Sequence, residues 1–115
     1  MEGSFIEEKV IATRVDMDRL LRSYRKMSEA LRASKTFFRA DAADLDETAV
    51  QAEMYSLRSL ILSVEDPMER MLLYHYYVKG STLEICAKAL GISLRSINRV
   101  KNRALENLII KAQKR

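Results

Sequence analysis

Apolar positions recur at helical spacing along most of the chain. Ile6, Val10, Thr13, Met17, Leu20, Tyr24, Met27 and Leu31 are separated alternately by four and three residues, the a/d seam of a coiled coil. Phe5, Ile11, Val15 and Leu21 widen that stripe. The spacing predicts one long helix from about Ser4 to Ala33, running roughly 45 Å at 1.5 Å per residue. Such a helix needs a cover for its seam, either the rest of the chain or a second copy. Val50, Met54, Leu57, Ile61 and Val64 repeat the spacing and predict a second helix from about Asp46 to Val64, returning antiparallel along the first. Between them, Ser34 to Ala43 breaks the pattern and reads as a connector with Phe37 and Phe38 as packing anchors; Asp41 or Asp44 is placed to cap the next helix. Glu65-Asp66-Pro67 ends the second helix and starts a third, with Asp66 as N-cap and Pro67 at the first helical position. That helix, about Pro67 to Val78, is expected to bury some of Met71, Leu72, Tyr74 and Tyr76. Lys79-Gly80-Ser81 is the following turn.

The stretch from Thr82 to Leu108 is the most specific. Thr82 is a candidate N-cap, and Cys86, Ala87 and Leu90 form the apolar stripe of a short helix. Gly91 supplies the positive φ of a helix end. Ile92 fills the corner, Ser93 caps a second helix, and Ile97, Val100, Ala104, Leu105 and Leu108 give that helix an inward face. Two helices that cross over a short turn leave no room for a large side chain, and Ala87, four residues before Gly91, meets that demand. The pattern is that of a helix-turn-helix; an ordinary αα-hairpin shares much of the spacing.

The outward face separates the two readings. Ser93, Leu94, Arg95, Asn98, Arg99 and Asn102 lie at the start and along the exposed side of the second helix. Arginine and asparagine are the residue types that make paired hydrogen bonds to guanine and adenine edges. Thr82, Lys88, Lys101 and Arg103 stand where phosphates would pass. No acidic residue occurs from Ile85 to Leu105, whereas an ordinary solvated surface mixes both signs. The helix from about Ser93 to Asn107 is therefore the candidate reader of the major groove of double-stranded DNA.

Charge agrees with this. The net charge is +4, but Lys79 to Arg115 holds nine basic and two acidic residues, a net +7, while Met1 to Val78 carries a net −3. A basic half that contains the candidate reading helix is the electrostatic footprint of a nucleic-acid module.

From Thr82 to Leu108 the chain resembles the promoter-reading helix-turn-helix of bacterial sigma factors, their region 4. The likeness lies in TLE opening the first helix, the small-residue crossing, and a long second helix ending in RALENL. The preceding EDPMERMLLYHYYVKG, Glu65 to Gly80, is similar to the sigma segment just upstream. The resemblance implies an all-α fold and a second helix that reads a −35 promoter element near its start, through the positions of Leu94, Arg95, Asn98 and Arg99. Leu94 departs from the polar residue usual there, which implies a different base sequence. The sigma domains that melt DNA have no counterpart here. In layout the chain is similar to small sigma-like regulators of phages and prophages of Gram-positive bacteria. The same resemblance implies RNA polymerase as a partner, since region 4 also contacts polymerase and activators.

The expected architecture is all-α: a helical hairpin or coiled coil over 1–64, serving dimerisation or packing, and a sigma region 4-like DNA-binding unit over 65–115. Homodimerisation through the N-terminal helices is the functional reading of the seam, and packing within the monomer its alternative. No apolar run approaches a membrane span, the amino terminus lacks the features of a signal peptide, and one cysteine suits a cytoplasmic protein. One His and one Cys cannot build a tetrahedral zinc site; His75 reads as a surface or boundary residue and Cys86 as core. No nucleophile–base set or phosphate loop is present, so neither catalysis nor a cofactor is expected. Ile109 to Arg115 reads as a fraying basic tail. The competing function is that of a protein-interaction adaptor using the sigma-like half to bind RNA polymerase or a partner factor.

Overall fold

The computed structural model describes residues 13–37 and 47–114, and every regular element among them is helical. Helix α1 spans Arg14–Phe37, α2 Glu47–Leu62, α3 Pro67–Leu73, α4 Leu83–Leu90 and α5 Leu94–Lys114. A π-helical turn, Tyr74–Val78, continues α3. The connector residues 38–46, with Phe38, Asp41 and Asp44, and the first seam positions Ile6 and Val10 lie outside the described residues.

The seam of α1 is covered by the chain itself. Met17 and Leu21 are fully buried, Tyr24 and Leu31 nearly so, and Leu20 and Met27 are half-buried beside them. Leu21, expected only to widen the stripe, sits at its centre, so the buried face is rotated slightly from the strict a/d line. Each such full burial stabilises the fold by about 1.5–3 kcal/mol. The cover comes from Leu57, Leu60, Ile61 and Val64 around α2, from Leu73 and Tyr77, and from Ala104, Leu105, Leu108 and Ile109 of α5. Packing is thus continuous across residues 64 and 65, and the sigma-like half shares one core with the N-terminal helices. Arg70 locks the junction by donating from Nη1 to the carbonyls of Val64 at 2.8 Å and Glu65 at 3.4 Å.

Asp66 caps α3 as its sequence predicts: its carboxylate accepts from the amides of Met68 at 2.9 Å and Glu69 at 3.1 Å. The buried face beyond it takes some of the expected residues and adds two: Leu72, Leu73 and Tyr77 are fully buried, Tyr74 and Tyr76 are half-buried, and Met71 is exposed. Leu73 and Tyr77 share a face at i and i+4, and the π turn closes with a bond from the amide of Lys79 to the carbonyl of Tyr74 at 3.0 Å, one residue beyond the α-helical count.

The fraying tail is also corrected. Helix α5 continues to Lys114, Ile109 is buried and Ala112 packs on the core. Ile109 follows Leu105, and Ala112 follows Leu108, at i+4, so they prolong the same inward face. No described helix is long and apolar enough to cross a membrane.

Candidate nucleic-acid interface

The two helices of the reading unit are set by local chemistry. Thr82 has extended backbone angles, and its Oγ1 accepts from the amide of Ile85 at 3.2 Å. Gly91 ends α4 at φ +70°, where the amides of Gly91 and Ile92 bond to the carbonyls of Lys88 at 3.1 Å and Ala87 at 3.0 Å. A Cβ on Gly91 would meet nothing within 4 Å, so glycine is required by the backbone angle and not by space. Ser93 Oγ accepts from the amide of Ser96 at 3.1 Å and starts α5. Ala87, buried, packs with Cys86, Leu72, Ile97 and Val100 in a small second core that the half-buried Leu90 and Ile92 close. The small residue therefore lies at the crossing.

With Ile97, Val100 and Ala104 turned inward, the opposite side of α5 is free. Leu94, Arg95, Asn98, Arg99 and Asn102 are all exposed, and their i, i+1, i+4, i+5, i+8 spacing puts them on one face. Ser93 is exposed as well, but its hydroxyl serves as the helix cap. Asn98 donates from Nδ2 back to the carbonyl of Leu94 at 3.1 Å, which parks the amide on its own helix.

The expected phosphate contacts divide. Thr82 and Lys88 are exposed. The Lys101 ammonium stands 5.2 Å from the centre of the Tyr76 ring, a cation–π distance. Arg103 is exposed but engaged at one nitrogen: its Nε donates to Glu69 Oε2 at 2.9 Å, and Asn107 Nδ2 donates to Glu69 Oε1 at 2.8 Å. Glu69 is only 2% exposed. Sequence reasoning missed this carboxylate because a glutamate in the first turn of a helix is common for dipole reasons alone.

A second polar cluster ties α1 to the π turn and α5. Asp18 accepts from the Tyr77 hydroxyl and, at 2.7 Å, from Arg22 Nε. Arg22 Nη2 donates onward to the Tyr76 hydroxyl at 3.0 Å, and Tyr76 carries Lys101 on its ring. Burial pushes the Asp18 carboxyl up, but the bonds from Tyr77 and Arg22 outweigh it and leave it below the usual carboxylate range. Burial, reinforced by the bond to Asp18, drives the Tyr77 phenol well above its ordinary value. The bond to Asp18 raises Arg22 further. Cys86 is buried, which raises its thiol, and His75 is exposed.

Residues 62–108 match the family model described as Sigma-70, region 4. The matched segment, less than half of the chain, runs from the end of α2 through most of α5 and is similar to a sigma region 4 helix-turn-helix within an all-α chain. Comparison with curated proteins and with solved structures finds no match.

Proposed function

We propose that the protein is a non-enzymatic, sequence-specific transcriptional regulator that sets α5 in the major groove of double-stranded DNA. The observation that carries this is the single exposed face of Leu94, Arg95, Asn98, Arg99 and Asn102, backed by buried Ile97, Val100 and Ala104. Arg95, Arg99 and Asn102 carry the base readout and Leu94 the apolar contact, with Asn98 joining once its amide leaves the Leu94 carbonyl. Ser93 positions the helix start. Thr82, Lys88 and Lys101 meet phosphates; Arg103 does so while its Nε stays on Glu69. The setting is cytoplasmic, where duplex DNA and polymerase are accessible. Binding-site selection from random duplex DNA is the test: a motif that vanishes in an R95A/R99A variant is expected, and no enrichment at low salt would overturn the reading.

Homodimerisation through the N-terminal helices has a reduced basis, since Met17, Leu21 and Tyr24 are covered within one chain. Ile6, Val10 and the exposed Val15 continue the stripe beyond them. A dimer mass with an inverted-repeat motif is the expected signature.

A second reading rests on a specific observation. Ile85 is 57% exposed and Leu94 48%, and Ile85 lines an apolar groove with Met71, His75 and Ala89. This favours a protein contact, with RNA polymerase or a partner factor as the ligand of an adaptor. Salt discriminates: DNA binding weakens steeply as salt rises, whereas an apolar contact does not.

A further inference from the structure

Outside the sigma-like segment, one edge of α1 borders the start of the helix-turn-helix. Arg22, Arg25 and Lys26 share a groove of about 440 Å³ with Ser81 and Thr82. The Arg25 guanidinium lies over the turn at Gly80. Gly80 has φ +80°, and a Cβ on it would overlap the Arg25 guanidinium, so the bare glycine leaves the slot the guanidinium occupies. Arg25 thereby stands beside the capped, positive end of α4. Further along, Arg14 and Asp18 of α1 border Lys101 and Asn102 of α5 in a second groove. The N-terminal helix therefore flanks the reader at two points.

The acids on this edge do not cancel its charge equally. Asp18 takes Arg22 at 2.7 Å. Glu29 meets Arg25 only at 4.0 Å, with side-chain exposures of 64% and 44%, a geometry in which solvent leaves little net attraction. Lys26 is exposed one residue further on.

We infer that Arg25 and Lys26 bind the phosphate backbone of the duplex that α5 reads, so that α1 extends the DNA interface beyond the sigma-like segment. The inference rests on the DNA-binding reading above. Its support is the placement of Arg22, Arg25 and Lys26 in one groove with Thr82 and the position of the Arg25 guanidinium over Gly80. Contacts of this kind weaken binding equally on every sequence when removed, and each contributes about 0.9 to the slope of log affinity against log salt.

The test compares wild type with R25Q/K26Q on a random-sequence duplex and on a duplex carrying the selected motif, titrated over a range of salt. The expected result is a slope shallower by about 1.8 for the two contacts, equal weakening on both duplexes, and an unchanged motif. K26Q alone, which leaves Arg25 in place, is expected to lower the slope by about 0.9 and serves if the double variant fails to fold. A wild-type slope in the folded variants would overturn the inference while leaving the function standing. Failure of the wild-type protein to bind either duplex would remove both.

Discussion

Arg103 of α5 and Glu69 of α3 join the two helices, Nε to Oε2 at 2.9 Å. The pair is asymmetric, with side-chain exposures of 60% for the arginine and 2% for the carboxylate. Removing Arg103 leaves Glu69 buried with Asn107 as its remaining side-chain donor. Arg103→Ala is expected to cost about 1.5–3 kcal/mol in urea unfolding, the range for a hydrogen bond to a charged group. Glu69→Gln keeps the shape and loses the charge, and should cost less than Arg103→Ala. The salt slope for DNA separates a second role: a slope shallower by about 0.9 in a folded Arg103 variant marks a phosphate contact, and an unchanged slope assigns Arg103 to the scaffold alone.

Gly91 offers a cleaner test of backbone geometry, because nothing lies within 4 Å of a Cβ built on it. Any penalty for Gly91→Ala then comes from φ +70°. About 1–2 kcal/mol is expected from the left-handed conformation. Gly91→Asn should recover part of the loss, since asparagine tolerates that region. A thermal melt of the three proteins checks the order; an alanine variant as stable as wild type would mean that the turn relaxes out of the left-handed region.

Much of the fold was legible because it follows local rules. The caps at Asp66, Thr82 and Ser93, the turn at Gly91, and the inward faces of α4 and α5 each depend on residues within a turn or two of one another. What escaped was decided across the fold. The π turn at Tyr74–Val78 has no composition cue, and the full burial of Leu73 and Tyr77 depends on the helices packed against them. Asp18 reads as an ordinary polar residue beside the seam until Tyr77 and Arg22 are brought to it from elements that the sequence cannot align. The cover that α2, Leu73, Tyr77 and α5 give Met17 and Leu21 was likewise not legible, because spacing along one helix does not say which others converge on it. Of the interface residues, the exposed face was visible from spacing alone. The capture of Arg103 by Glu69 and the return of Asn98 to Leu94 were not, because a side chain's partner depends on distances that periodicity does not encode.

The Asp18 cluster predicts a pH dependence at both ends. Asp18 is held below its ordinary value of 3.8 in the folded protein, so the folded state binds its proton less readily than the unfolded chain. Its stabilisation is present above that value and is lost as pH falls through the depressed one. Tyr77 is shifted the other way, up from 10.0. Its contribution is complete below pH 10 and declines as the solution becomes more alkaline. Asp18→Asn should flatten the acid limb of stability against pH and reduce the alkaline one, because Asp18 contributes to the Tyr77 shift. Urea midpoints measured across pH for wild type and Asp18→Asn provide the comparison; parallel acid limbs would show that other carboxylates govern acid unfolding.

The reading face makes the sharpest functional prediction. Arg95 and Arg99 are exposed on α5 one helical turn apart, close enough to address neighbouring base pairs along one groove. If each forms a paired hydrogen bond with a guanine edge, replacing either with alanine costs about 1–3 kcal/mol on the cognate site and relaxes preference at one base position. The loss should be small on a site already altered at that position, and the two variants should relax different positions. Binding measured against a panel of single-base variants resolves this. A uniform loss on every duplex, with a shallower salt slope, would reassign the arginine to the phosphate backbone. Leu94→Ser probes the same helix from its apolar side: an apolar contact to a thymine methyl predicts weaker binding only where that methyl is present. Weaker polymerase binding with unaltered DNA affinity would instead place Leu94 in a protein contact.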